Sequence, residues 1–113
     1  MKTFIIDGSD FSDYDGFAMT LFSKLGGEAR PYGLSWLDDI LYGGVIGFED
    51  GEEIAIVWKN NLKSKVDLNS DTSIPLSTQD RGNLYELILE IIQAHDNVHL
   101  YLDSESKDSE DGL

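Results

Sequence analysis

Carboxylates and aromatic rings are concentrated in one short stretch of this chain, residues 32–44, with the sequence YGLSWLDDILYGG. A carboxylate accepts charge-assisted hydrogen bonds from arginine and lysine, and aromatic side chains supply much of the contact area in protein interfaces. The stretch offers neither a nucleophile beside a base nor a metal cage, so it favours binding of a basic partner over catalysis. Its three aromatics and two adjacent acids are Tyr32, Trp36, Tyr42, Asp38 and Asp39.

A catalytic role for the acidic pair is the less favoured alternative. Neighbouring residues on a helix point about 100° apart, so Asp38 and Asp39 do not readily share one substrate atom. The two histidines, His95 and His99, have no partners at metal-ligand spacing, and the aspartates do not follow a calcium-loop pattern. We therefore expect a protein that is not an enzyme and that uses no cofactor and no metal. His95 is expected to end a helix, with its N–H groups directed at the free carbonyls there.

The net charge of −14 bears on the class of partner. Acidic side chains outnumber basic ones 22 to 8 among 113 residues. Residues 103–113 hold five acids and one lysine, which leaves a charge of −10 on residues 1–102. Such a field repels nucleic acid and anionic membranes and speeds encounter with cationic proteins. The alternative is that the acidity serves only solubility.

Length and composition predict a single globular domain. A hydrophobic content of 41% is typical of folded proteins, and the length suffices for one modest core. We expect residues 1–102 to form the domain and residues 103–113 to form an acidic, disordered tail. The absence of cysteine excludes disulfides and fits a cytoplasmic protein. The apolar run near Met1 is too short for a signal peptide or a membrane span.

Three strands are predicted, at residues 2–7, 53–59 and 98–102. Each is an apolar run that is bounded by polar or turn-forming residues. The nearly continuous apolar run of the second strand indicates a strand that is covered on both faces, as in a parallel sheet. No two strands are joined by a loop of hairpin length, so we expect parallel pairing through right-handed crossovers.

Three to four helices fill the connections, and the fold class expected is therefore α/β, a three-stranded parallel sheet packed by helices. Ser12 and Asp15 resemble a capping box that opens the first helix, and Gly26-Gly27 end it. Short helices are predicted at residues 35–42 and 60–68. The longest begins near Ser77 or Thr78 and carries the apolar stripe Leu84, Leu87, Ile88, Ile91 and Ile92.

Two short sequence motifs are found in addition to this order of elements. One is LDDIL at residues 37–41, followed by Gly43-Gly44, and the other is IVWKN at residues 56–60. Together with the long final helix and last strand, they make the chain similar to the barstar family, the intracellular inhibitors of small secreted bacterial ribonucleases. The resemblance covers residues 2 to 102. It implies a barstar-like fold and the function of an immunity protein that binds a basic bacterial ribonuclease or ribonuclease toxin in the bacterial cytoplasm.

The resemblance also implies a site. Barstar-like inhibitors insert the second helix and the loop before it into the ribonuclease active site, where a carboxylate occupies the phosphate position. Gly43-Gly44 at the helix end places Asp39 on this principal plug. Ser35 stands where the family usually has a second aspartate, and in a shifted register Asp38 takes the role of Asp39. The remaining expected contacts are Tyr32, Trp36, Tyr42 and, on the long helix, Glu90.

Other interpretations stay open at this point. Trp36 and Tyr32 could lie in the core, and Asp38-Asp39 could be an ordinary solvated helix face. The alternative function is an immunity or regulatory module for a different basic partner, such as a deoxyribonuclease toxin. In either case we expect a free monomer that binds neither nucleic acid nor membranes.

Overall fold

The computed structural model describes residues 1–27, 33–42 and 47–103. Within them the predicted α/β class is confirmed, with a three-stranded parallel sheet and four helices. No described helix has the length and apolar character needed to cross a membrane. The strands are β1 (Lys2–Asp7), β2 (Ile54–Lys59) and β3 (Val98–Asp103), and the helices are α1 (Tyr14–Lys24), α2 (Ser35–Leu41), α3 (Asn61–Asn69) and α4 (Leu84–Gln93).

The sheet has the strand order β1-β2-β3, with β2 in the centre and both pairings parallel. In the register of the sheet, Phe4, Ile56 and Leu100 lie side by side on the three strands. Two helices connect each strand to the next, since α1 and α2 lie between β1 and β2, and α3 and α4 between β2 and β3. This agrees with the crossover connections that the sequence predicts.

The core lies between one face of the sheet and the helices. Trp58, near the end of β2, is fully buried at its centre. Its ring stacks on Phe17 of α1 at a centroid distance of 5.0 Å and meets Tyr85 of α4 edge-on at 5.4 Å. Such aromatic contacts add stabilisation beyond the area they bury. The sheet residues that belong to the core are Ile6, Ile54, Ile56, Trp58 and Val98.

The opposite face of the sheet is less covered than the core face. Every residue of β2 is buried or partly buried, as predicted for a strand covered on both faces, but Ile5 and Tyr101 of the outer strands are exposed on this face. The physical reason is that the apolar side chains of the described helices pack with the core face of the sheet. In β3 the sequence shows this, since Val98, Leu100 and Leu102 alternate with more polar residues, whereas β1 has a continuous apolar run at residues 4–6.

Two helix starts also differ from the prediction. Asp13, not Ser12, caps α1, because its carboxylate accepts a hydrogen bond from the backbone N–H of Gly16 at 2.8 Å. The last helix begins at Leu84 rather than near Ser77. Gly82 has a φ of 82°, a left-handed conformation that a continuing α-helix does not contain.

The ends of the remaining elements follow the sequence closely. Gly26, with a φ of 90°, terminates α1, and the N–H of Gly27 donates to the carbonyl of Phe22 at 2.8 Å. The strand β3 includes Asp103. The rest of the predicted tail, residues 104–113, lies outside the described residues.

Candidate functional site

The first turn of α2 is anchored in the core by an aromatic pair. Trp36 is buried, and its Nε1–H donates to the hydroxyl of Tyr14 at 2.8 Å. That hydroxyl in turn donates to the carbonyl of Gly33, just before the helix. Burial raises the pKa of Tyr14 to about 12, so the hydroxyl keeps the proton that this second bond needs.

The last turn of α2 is held by hydrogen bonds from two later segments of the chain. Asn97 donates from Nδ2 to the carbonyl of Leu41 at 3.2 Å and to that of Glu52 at 3.1 Å. The N–H of Gly51 donates to the carbonyl of Tyr42 at 2.8 Å. Carbonyls at a helix end have no partner within the helix, so these bonds satisfy them and fix where α2 ends.

Asp38 is paired across the helix layer with His95. Its Oδ1 lies 2.8 Å from Nε2 of this histidine, which is buried just after the end of α4. The ring of Tyr42 meets the His95 ring edge-on at a centroid distance of 4.7 Å. The expectation that His95 serves the carbonyls of its own helix is therefore wrong, because its Nε2 is directed at a carboxylate of α2 instead.

Asp39 has a different environment from its neighbour. Its side chain is exposed and makes no hydrogen bond or ion pair with any described residue. Tyr42 is 58% exposed, and the side chain of Asp38 is 52% exposed despite its bond to His95. Asp38, Asp39 and Tyr42 together form what we call the α2 surface. It presents two carboxylates and one ring to solvent on a helix that is fixed at both ends.

The other predicted contact residues lie elsewhere. Trp36 is in the core, where its indole also packs edge-on against Phe22 at 5.6 Å, so it supports α2 from beneath. Tyr32 lies outside the described residues. Glu90 is exposed on α4, and no described contact joins it to the α2 surface. One turn earlier, Glu86 is already bonded to Asn69 and lies 3.5 Å from Lys65 on α3.

A second group of polar side chains lies at the carboxyl end of the sheet, where ligands bind in many parallel α/β proteins. Asp7 accepts hydrogen bonds from the N–H and hydroxyl of Ser9 and from Nδ2 of Asn60, at 2.7 to 2.9 Å. These bonds to Ser9 and Asn60 lower the pKa of Asp7 from 3.8 to about 2. All three bonds are accepted by Oδ1, so this oxygen of Asp7 has a structural role.

Two further places that could hold a ligand are also committed to the fold. Lys63 donates to the carbonyls of Gly8 and Phe11 and contacts Asp67 at 2.6 Å. A cavity of about 270 Å³ lies beside the end of α3, but its carboxylate, Asp71, accepts from the N–H of Tyr14 and from Ser73. Within residues 1–27, 33–42 and 47–103, no three histidines or acids form a group that could hold a metal ion.

The sequence singled out the α2 surface but missed the residues that hold it. His95 and Asn97 lie 57 and 56 positions from the α2 residues that they bond. No local spacing signals such pairs. The bond between Trp36 and Tyr14 likewise joins residues that are 22 positions apart.

Comparisons with known proteins add no family assignment. A scan against protein-family models gave no match, and a search of curated proteins also gave none. The similarity to the barstar family therefore stays a prediction from the two motifs and the order of elements.

Proposed function

We propose that this protein is a barstar-like inhibitor that binds a basic bacterial ribonuclease and blocks its active site with the α2 surface. The observation that carries the proposal is Asp39, an exposed carboxylate without a partner among the described residues, on a helix that is held at both ends. A ribonuclease must bind the RNA phosphate with cationic side chains. A fixed carboxylate can accept hydrogen bonds from the same groups.

The neighbours of Asp39 have different roles in this proposal. Asp38 keeps its bond to His95 and adds negative charge beside the plug. The exposed ring of Tyr42 supplies apolar contact, while Tyr32 contributes from the segment before α2. Trp36 acts by fixing the helix, since its ring is buried. Glu90 is a peripheral contact.

Electrostatics supports a fast and specific encounter. A charge of −14 attracts a basic enzyme over distances beyond direct contact, and salt screens this attraction. Raising the ionic strength should therefore lower mainly the association rate. In the cytoplasm, such an inhibitor protects the RNA of the cell from a ribonuclease that the cell makes itself or receives from another cell.

The test is a titration of the protein into a basic bacterial ribonuclease, preferably one encoded beside it, with RNA cleavage as the readout. Asp39→Ala is the test variant. Asp10→Ala is its matched control, because Asp10 is also exposed and makes no bond to a described residue. The control removes the same unit of charge from a different part of the chain.

The expected result is stoichiometric loss of cleavage with the wild type and with Asp10→Ala, and relief of inhibition with Asp39→Ala. An equal effect of both substitutions would show that net charge, not a plug, determines inhibition. Absence of inhibition of the neighbouring ribonuclease would contradict the proposal. Protection of DNA from a neighbouring deoxyribonuclease would then favour the alternative immunity function.

A further inference from the structure

The face of the sheet on which no described helix packs carries an apolar row across all three strands. Ile5, Val57 and Tyr101 are register partners and therefore lie side by side. Ile5 is 46% exposed and Tyr101 is 54% exposed. The buried apolar side chains of the four helices all belong to the core on the other face. Parallel sheets usually have both faces covered, so this row is an apolar surface that a covering layer would remove from water.

Charged side chains flank the row at both ends. Towards the carboxyl end, Asp7 and Asp103 lie on the outer strands, on either side of the partly buried Lys59 in the centre. Towards the amino end, Glu53 precedes β2, and its Oε1 lies 3.2 Å from Nε2 of His99. At the carboxyl end, both outer positions of this face are thus acidic. The hydrogen bonds of Asp7 keep its carboxylate ionised at neutral pH.

We infer that this open face is a second docking surface, and that it takes an amphipathic helix with lysine or arginine along its flanks. Two outer strands of a three-stranded sheet are about 10 Å apart, which is close to the diameter of one helix. A helix laid along β2 would cover Val57 with its apolar stripe. Its flanks would then lie above the outer strands, where basic side chains reach Asp7 and Asp103.

A second copy of the chain fits this face less well. Each copy carries a charge of −14, and the acidic ends of the two faces would be brought together. The face is also small. Six residues of strand span about 20 Å, and three strands span about 10 Å, which is well below the area that a stable protein dimer usually buries from each subunit. A single basic helix suits both the size and the charge.

The inference does not depend on the proposed ribonuclease inhibition. The helices, including α2, pack on the core face of the sheet, whereas the row of Ile5, Val57 and Tyr101 faces away from that core. Both surfaces could therefore be occupied at once. A partner on the open face would bind this protein without competing for the α2 surface.

The probe is a synthetic amphipathic peptide of about 18 residues, with a leucine stripe at helical spacing and lysines on both flanks. A second peptide has glutamate at every lysine position. Binding of each to the full chain is followed by fluorescence anisotropy, and the site is mapped from backbone amide shifts. The variants are Ile5→Lys and Tyr101→Lys. Leu62→Lys is the control, because Leu62 is a 50% exposed apolar residue on α3.

We expect saturable binding of the lysine peptide, with amide shifts centred on Ile5, Val57 and Tyr101, and no binding of the glutamate peptide. Each sheet variant should raise the Kd by about tenfold or more, since an apolar contact is lost and a like charge is added. Leu62→Lys should leave it unchanged. Two sheet variants guard against misfolding of one of them.

Three results would overturn the inference: no saturable binding, equal binding of both peptides, or amide shifts centred on α2. Concentration-dependent dimerisation of the wild type that Ile5→Lys abolishes would also overturn it, in favour of a second copy. Inhibition of a ribonuclease by Ile5→Lys is measured in parallel. Because that activity belongs to the α2 surface, its loss or retention reports on the proposed function separately from peptide binding.

Discussion

The carboxylate of Asp7 accepts three hydrogen bonds from Ser9 and Asn60, whereas that of Asp39 has no partner among the described residues. Both belong to the same acidic domain, and both are near the end of a secondary-structure element. The first ties the end of β1 to the start of α3, where Asn60 has a left-handed φ of 53°. The second is exposed to solvent and makes no such bond within the described residues. The comparison separates a carboxylate that holds the fold through one of its oxygens from one that makes no bond within the described residues.

The largest effect on stability should come from Asp7. Replacing Asp7 with alanine removes the acceptor for three hydrogen bonds. A hydrogen bond to a charged group contributes about 1.5–3 kcal/mol to stability. We expect the free energy of unfolding to fall by about 2–3 kcal/mol in chemical denaturation. Asp39→Ala, the matched variant, should unfold like the wild type. Equal losses in the two variants would remove the distinction between the two aspartates.

The pH dependence of unfolding sharpens the same point. Because the pKa of Asp7 is lower in the folded chain, at about 2 against 3.8, its stabilisation is complete above pH 4. It should be lost as the pH falls from about 4 towards 2. In Asp7→Asn this part of the acid sensitivity should be missing, which a series of thermal melts between these pH values would reveal.

A smaller effect is expected from Tyr14→Phe. The substitution leaves the indole N–H of Trp36 and the carbonyl of Gly33 without their buried partner, which should lower stability by about 1–2 kcal/mol. Affinity for the ribonuclease should also fall, since the first turn of α2 loses its anchor. Tyr42→Phe is the control, because the exposed Tyr42 has no hydroxyl bond to a described residue. Unchanged melting of Tyr14→Phe would show that this aromatic pair does not fix α2.

The smallest effect on stability should come from Asp38→Asn. The side chain of Asp38 is about half exposed, and an ion pair with an exposed partner contributes less than about 1 kcal/mol to stability. Inhibition titrations should show a smaller loss of affinity than in Asp39→Asn, which removes the same charge. A larger loss in Asp38→Asn would assign the plug to Asp38, as the shifted register of the barstar-like motif allows.

Elements with strong local signals were predictable from the sequence. The strand Lys2–Asp7 is bounded by polar residues, and the stripe of α4 fixes its buried side. The start of α4 was predicted too early because the left-handed Gly82, which separates the helix from the preceding turn, resembles any other glycine in sequence. Ser12 and Asp13 are adjacent and both can cap a helix. Which of them caps α1 depends on the backbone conformation of the folded chain, which the sequence does not give.

The site was predictable only in its exposed half. Acidity and adjacency identify Asp38 and Asp39, but they do not tell which carboxylate is bonded to the rest of the protein. That depends on His95, a residue brought to α2 by the packing of two helices. The fate of Trp36 was open for the same reason, since a large aromatic suits both a core and an interface.

The register of the sheet has a consequence for how the chain reaches this structure. Lys2 pairs with Ile54, and Ile54 with Val98, so the two pairings join residues that are 52 and 44 positions apart. Loops of this length delay strand pairing relative to the formation of local helices, and domains dominated by such contacts fold in milliseconds to seconds. The central strand, with Trp58 at the middle of the core, must therefore wait for partners from both ends of the chain. During synthesis the N-terminal strand leaves the ribosome long before it can pair, and the sheet is completed only when the last strand has emerged.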